Sequence, residues 1–153
     1  MLLWFRNDLR THDNPALHYF LNQSYLSQYG SSTPGKAIFF VSKKQWQQHD
    51  WSPIKVDFVM RHANAMVEEL ALLNIELEII EVDDFSAQAA YLNSYCQQHN
   101  ITEVVANSEV EFNEQQRDKT LASGLQTCGI AFTLFEADVI VPKGKVLNQS
   151  GEM

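Results

Sequence analysis

Two segments of this chain are apolar without a break, Leu2–Phe5 (LLWF) and Ala37–Val41 (AIFFV), and a third, Glu103–Asn107 (EVVAN), is nearly so. A strand with one wet face alternates apolar and polar residues; an unbroken short run marks a strand covered on both faces. Helical patterns lie between these runs. An order that alternates strand and helix predicts an α/β domain with a mostly parallel sheet and helices on both faces.

The connecting segments fill in that outline. Asn14-Pro15 starts a helix that runs to about Tyr25, with Asn14 as cap and Pro15 in the first turn, where its missing N–H is no loss. GSSTPG (30–35) reads as a flexible connection, and SKKQWQQHDWSP (42–53) as a polar segment. From Pro53 to Leu73, Val59, Ala63, Met66, Leu70 and Leu73 recur at helical spacing and predict one buried stripe, ended by Asn74. IELEIIEV (75–82) alternates apolar and acidic residues, the pattern of an edge strand. Asp83 or Asp84 can cap the next helix, where Phe85, Ala89, Leu92 and Cys96 share a face. Asn113-x-x-Gln116 resembles a capping box for a helix ending near Gly124. IAFTLFEA (130–137) is the last strand. Five strands joined by right-handed crossovers predict a Rossmann-like, doubly wound parallel sheet in the order 3-2-1-4-5.

At 153 residues the chain is one domain long, and 45% hydrophobic content is enough for a real core. Net charge is −8, split as +3 over residues 1–62 and −11 over 63–153. That is the wrong balance for a surface that neutralises nucleic-acid phosphates. Cys96 and Cys128 form no CxxC and read as two reduced core thiols of a cytoplasmic protein. The apolar start is too short for a secretory signal and is interrupted by Arg6 and Asp8. No segment approaches the eighteen or so apolar residues of a membrane span.

Open parallel sheets bind ligands beyond the carboxyl ends of their strands. Three polar clusters fall there: Arg6–Asn14, Lys43–Ser52 and Asn107–Arg117. None contains GxGxxG or a Walker A sequence, so an ordinary dinucleotide fingerprint and a P-loop are both unsupported. RNDLRTHDN reads most simply as a loop held by Arg–carboxylate pairs and an Asx cap. His49, between Trp46 and Trp51, is either an exposed loop residue or one edge of a site for a flat ligand. Glu109, Glu111, Glu114 and Asp118 lack a His partner at metal-binding spacing. They read either as a solvated helix start or, at Asn113-Glu114, as a carboxylate able to accept paired N–H bonds from a planar heterocycle. No catalytic residue and no metal site is expected.

WFRNDLRTHDN (4–14) resembles the W-F-R-x-D-L-R-x-x-D-N signature that opens the photolyase/cryptochrome family. QWQQHDWSP (45–53), VEFNEQQRD (110–118) and VIVPKGKV (139–146) match the same family in the same order. The chain looks closest to the folate-type cyclobutane pyrimidine dimer photolyases, because of His49 with Asn113-Glu114. The resemblance implies an N-terminal α/β antenna domain over 1–135, the start of an interdomain linker over 136–153, and an absent C-terminal helical domain that binds FAD. It implies methenyltetrahydrofolate as antenna, with His49, Asn113 and Glu114 as one wall of its site. It further implies that the partners are that helical domain and, through it, ultraviolet-damaged DNA, with no membrane. In that setting the charged loop after strand one is expected to be structural. Alternatives are the same domain in a cryptochrome-type photoreceptor, or a free-standing α/β nucleotide-binding module. The polar ending reads either as a natural terminus or as a cut at a domain boundary.

Overall fold

The computed structural model describes residues 1–27, 33–137 and 139. The elements are β1 (Leu2–Phe5), α1 (Pro15–Ser27), β2 (Gly35–Val41), α2 (Lys43–Gln48), α3 (Pro53–Leu72), β3 (Ile75–Glu81), α4 (Phe85–Gln98), β4 (Glu103–Asn107), α5 (Phe112–Thr127) and β5 (Ala131–Phe135). All strand pairs are parallel, in the order β3-β2-β1-β4-β5, as the strand count and crossover rule predict. The GSSTPG connection in part, and nearly all of the expected linker with its VIVPKGKV motif, lie outside the described residues.

The unbroken apolar runs are explained by a core on each face. Leu3, Phe5, Ala37, Phe39 and Val41 point one way, against Ala16, Leu17 and Phe20 of α1 and Ala63, Met66 and Leu70 of α3. Leu2, Trp4, Ile38 and Phe40 point the other way, against Leu92, Tyr95 and Cys96 of α4 and Leu121 and Leu125 of α5. Successive strand residues face opposite sides, so both registers of β1 and β2 must be apolar. β3 is an edge strand, and its alternation survives as buried Ile75 and Leu77 beside exposed Glu76.

Several local expectations need correction. The polar segment after β2 contains a short helix, α2; its single buried residue, Trp46, leaves no apolar stripe to announce it. The stripe on α3 is shorter than expected, because Leu73 lies past the last turn as C-cap and is 42% exposed. Asn74 follows with φ 57°, the left-handed position in which Asn is tolerated. Of the two expected candidates for the cap of α4 it is Asp84 that serves, accepting from the Ala87 N–H at 3.0 Å, so that expectation holds. On α4, Phe85 and Ala89 are only partly buried. Helix α5 has Glu111 as N-cap with no side-chain cap bond, so Asn113 sits inside the first turn instead of capping, and the helix runs past Gly124 to Thr127. Cys96 is buried as expected, but Cys128, the C-cap of α5, is exposed.

Gly35 begins β2 where a side chain has no room: a Cβ there would stand 2.8 Å from Cε1 and 3.0 Å from Cζ of the buried Phe20 ring. Overpacking of this kind costs about 1–3 kcal/mol, and the stiffer unfolded chain returns about 0.4–1 kcal/mol. Gly35→Ala is therefore expected to lower the urea midpoint. An unchanged or raised midpoint would mean that Phe20 turns aside freely.

Candidate functional site

The carboxyl edge of the sheet is organised from β1 outward. As the chain leaves Phe5, the Arg6 N–H donates to Asp8 Oδ1 at 3.0 Å, which tightens the loop. Asn107, the last residue of β4, ties that loop to its own strand. Its Nδ2 donates to Asn14 Oδ1 at 2.8 Å and to Asp8 Oδ2, and its Oδ1 accepts from the Ala16 N–H at 3.0 Å. Asn14 caps α1 as expected, accepting from the Leu17 N–H at 3.0 Å. The polar residues that follow the apolar strand are thus consumed in joining β1, α1 and β4.

Arg6 and Arg117 then form a buried ion cluster with Glu109 and Asp118. Arg6 Nη1 donates to both Asp118 oxygens at 2.8 and 2.7 Å. Arg117 donates through Nη2 to Glu109 Oε2 and Asp118 Oδ1, each at 2.7 Å, and through Nε to Asp118 Oδ1 at 2.9 Å. Asn7 adds a bond to Glu109 Oε1 at 2.8 Å. Both guanidiniums lie over the Trp4 ring, 5.0 and 4.7 Å from its centroid, a favourable contact for a desolvated cation. All four charged residues are less than a tenth exposed. Burial pushes the Glu109 carboxyl above its ordinary pKa, against the pull of Arg6 and Arg117. A solvated helix start is therefore the wrong description of Glu109 and Asp118: the stabilising partners of the carboxylates are arginines, one of them from another strand loop.

This cluster forms part of the wall of a cavity of about 520 Å³. His49, at the C-cap of α2, and Asn113 and Glu114, in the first turn of α5, all line it, although His49 and Asn113 stand 64 positions apart in sequence. Helix α2 contributes buried Trp46, stacked on Trp51 at 5.0 Å with an interplanar angle of 7°. The Lys55 ammonium covers Trp51 at 3.5 Å. His49 and Asn113 are exposed at the cavity wall, whereas Glu114 is only 8% exposed.

Buried polar atoms in folded proteins almost always find a partner, so exceptions call for an explanation. Among the described residues, five buried side-chain N or O atoms have none: Arg6 Nε, Arg6 Nη2, Gln88 Oε1, Asn93 Oδ1 and Glu114 Oε2. Four of the five belong to residues that line this one cavity. A larger groove, about 750 Å³ between α1 and α3, is lined by none of them. The residues around the 520 Å³ cavity thus carry two acceptors and two guanidinium donors without partners, beside aromatic walls. Such a lining suits a planar, partly polar heterocycle. Among the described residues no group of His, Cys, Asp and Glu is placed to hold a metal ion, and no helix is long and apolar enough to cross a membrane. Sequence reasoning found three of the lining residues. It missed Gln88, a polar residue in an amphipathic helix with no signature of its own, and the place of Arg6 in the wall, which only the ion-pair geometry reveals.

The comparisons agree with this fold. The family model described as DNA photolyase matches residues 1–153. The chain is 36% identical over 151 residues to the deoxyribodipyrimidine photo-lyase of Vibrio cholerae, and 32% identical over 152 residues to that of Escherichia coli. Each match covers 99% of this chain and 30% of the relative, so the chain spans about a third of the length of these proteins. Among solved structures, an archaeal photolyase from Sulfolobus tokodaii, described with two FAD molecules and a novel light-harvesting cofactor, superposes with a TM-score of 0.74 at 19% identity. That match covers 96% of this chain and 31% of the other. A class III photolyase from Agrobacterium tumefaciens gives 0.59 at 20% identity, over 99% of this chain and 28% of the other.

Proposed function

The chain belongs to the DNA photolyase family, and from that premise we propose that it is the light-harvesting domain of a deoxyribodipyrimidine photo-lyase, a light-driven enzyme that repairs pyrimidine dimers in DNA with FAD. On this reading the 520 Å³ cavity is the antenna site and methenyltetrahydrofolate is its ligand. The observation that carries the reading is the unpartnered Glu114 Oε2, buried on the cavity wall. A pterin ring presents adjacent N–H donors, and a carboxylate accepts two parallel bonds. Asn113 adds a neutral polar contact and His49 closes one side. When bound, the folate supplies absorption of near-ultraviolet light and passes the excitation to the flavin. The protein's part is to hold the ring, orient it and exclude water.

FAD, the lesion and the chemistry belong on this reading to a helical domain in the remaining length that the relatives possess. The net charge of −8 supports placing DNA contact there. Val110 and Phe112, 55% and 73% exposed at the start of α5, offer that domain an apolar seat beside the antenna. The photo-lyase names of the relatives favour repair over a cryptochrome-type photoreceptor or a free-standing nucleotide-binding module.

The test is photorepair. The complete polypeptide, purified with its flavin, is expected to remove cyclobutane dimers from an irradiated oligonucleotide in light but not in darkness. Residues 1–153 alone, folded by circular dichroism, are expected neither to do so nor to bind the oligonucleotide tightly. A complete polypeptide that leaves the dimers intact in light would point to the photoreceptor instead.

A further inference from the structure

We infer that Lys55 protects the excited state of the bound chromophore: its ammonium, seated on the face of Trp51, keeps the stacked Trp46 and Trp51 rings from giving up an electron to the light-excited heterocycle. This rests on the antenna reading above. All three tryptophans of the chain, Trp4, Trp46 and Trp51, line the 520 Å³ cavity. Indole is among the most easily oxidised protein side chains, and an excited heterocycle is a far stronger oxidant than the same ring in darkness. An indole at the cavity wall is therefore placed to lose one electron to the excited ring. The indole is left as a radical cation, the ring gains that electron, no proton moves, and the electron's return ends the excitation as heat. Excitation lost in this way never reaches the flavin.

The tryptophan pair is the weak point of the wall. Its ring centroids lie 5.0 Å apart at an interplanar angle of 7°, so a positive hole spreads over both rings, and two stacked indoles are oxidised more readily than one. The Lys55 Nζ stands 3.5 Å from the Trp51 centroid. A positive charge against a π-face is attracted to the neutral ring and repelled by its radical cation, so it opposes removal of the electron. Arg6 and Arg117 stand over Trp4 in the same way, but there Glu109 and Asp118 offset their charge. Lys55 is the unopposed case.

The needs of helix α3 do not account for this lysine. Ser52 caps the helix and accepts from the Lys55 N–H at 3.2 Å, which puts Lys55 at the third helical position. A capping box has Glu or Gln there, and the positive end of the helix dipole favours an acid. Lysine carries the wrong charge for the place. Among the described residues it makes no ion pair that would offset this. Its side chain is exposed, with water open to it, yet the ammonium lies on the indole. Water screens the charge in part, so the expected effect is a few-fold change in excited-state lifetime.

The test reads the excited state in the complete polypeptide carrying its flavin and methenyltetrahydrofolate. A flash into the near-ultraviolet folate band is followed by time-resolved absorption, which reports the folate lifetime and the visible band of oxidised tryptophan that appears as the folate decays. Lys55→Met keeps the length of the side chain and loses the charge; at an exposed position it leaves the fold intact. It is expected to bind folate within about two-fold of wild type, to shorten the folate lifetime at least two-fold, and to raise the yield of oxidised tryptophan. Lys55→Arg is expected to keep the wild-type lifetime. Trp51→Phe added to Lys55→Met is expected to restore it, because the donor is gone. Equal lifetimes in wild type and Lys55→Met, with folate bound in both, would overturn the inference and leave the antenna reading standing. A loss of folate affinity with no change in lifetime would overturn it too, by making Lys55 a ligand contact. A short lifetime that persists in the double variant would do the same, since the electron would come from elsewhere. A wild type that holds no folate would sink both readings.

Discussion

Asp118→Asn is expected to destabilise the domain by about 3–5 kcal/mol, the usual consequence of removing one partner from a buried ion pair. Asp118 accepts from Arg6 Nη1 through both oxygens and from Arg117 through Nε and Nη2. With the charge gone, two desolvated guanidiniums share the single carboxylate of Glu109, which reaches Arg6 only at 3.5 Å. In a chain of this length, roughly 2–4 °C per kcal/mol puts the fall in melting temperature near ten degrees. The contrast is Asp57→Asn. Its pair with Arg61 is just as short, 2.8 Å, but the side chains are 62% and 80% exposed, and such pairs contribute about 0.3–0.5 kcal/mol. Urea unfolding of both variants settles the matter. If the two lose equally little, desolvation already cancels the attraction in the buried cluster, and joining β1 to α5 is not what it contributes.

Glu114→Gln is expected to reduce folate binding ten-fold or more. The substitution keeps the size of the side chain but replaces one acceptor oxygen by a donor amide, which opposes the donors of the ring. A hydrogen bond to a charged group contributes about 1.5–3 kcal/mol, and 1.4 kcal/mol is a factor of ten in affinity. Burial sharpens the effect: at 8% exposure little water can stand in for the lost acceptor. The measurement is the near-ultraviolet folate absorbance that co-purifies with the complete polypeptide, wild type against variant. Equal occupancy would show that Glu114 faces the cavity without touching the antenna.

The sheet was legible because burial on two faces leaves a compositional trace. Leu2–Phe5 and Ala37–Val41 must be apolar in both registers, and β3 at the edge need not be. Helix α2 left no such trace. Trp46 alone is buried in it, and one residue cannot show a period. The start of α5 was misplaced because Asn113 and Gln116 have the composition of a capping box, while the helix begins two residues earlier, with Glu111 as N-cap and no side-chain cap bond. His49, Asn113 and Glu114 came from motif resemblance, not from any periodicity. Their placement around one cavity follows from the parallel order, which brings the ends of β2 and β4 to the same edge as β1.

By itself the sequence determined the alternation of strands and helices, the parallel sheet and the family, since each is written in short-range pattern: apolar runs, caps and contiguous motifs. Only the tertiary structure decided what the charged residues do. Arg6 meets Asp118 across 112 positions and Asn107 meets Asp8 across 99, and nothing local distinguishes those carboxylates from the exposed Glu111. A carboxylate near a helix start is stable in water and equally stable against an arginine. Which of the two it receives depends on what the fold packs over it, and so does the stranding of Arg6 Nε and Nη2, Gln88 Oε1 and Glu114 Oε2 around one cavity with no partner from the chain itself.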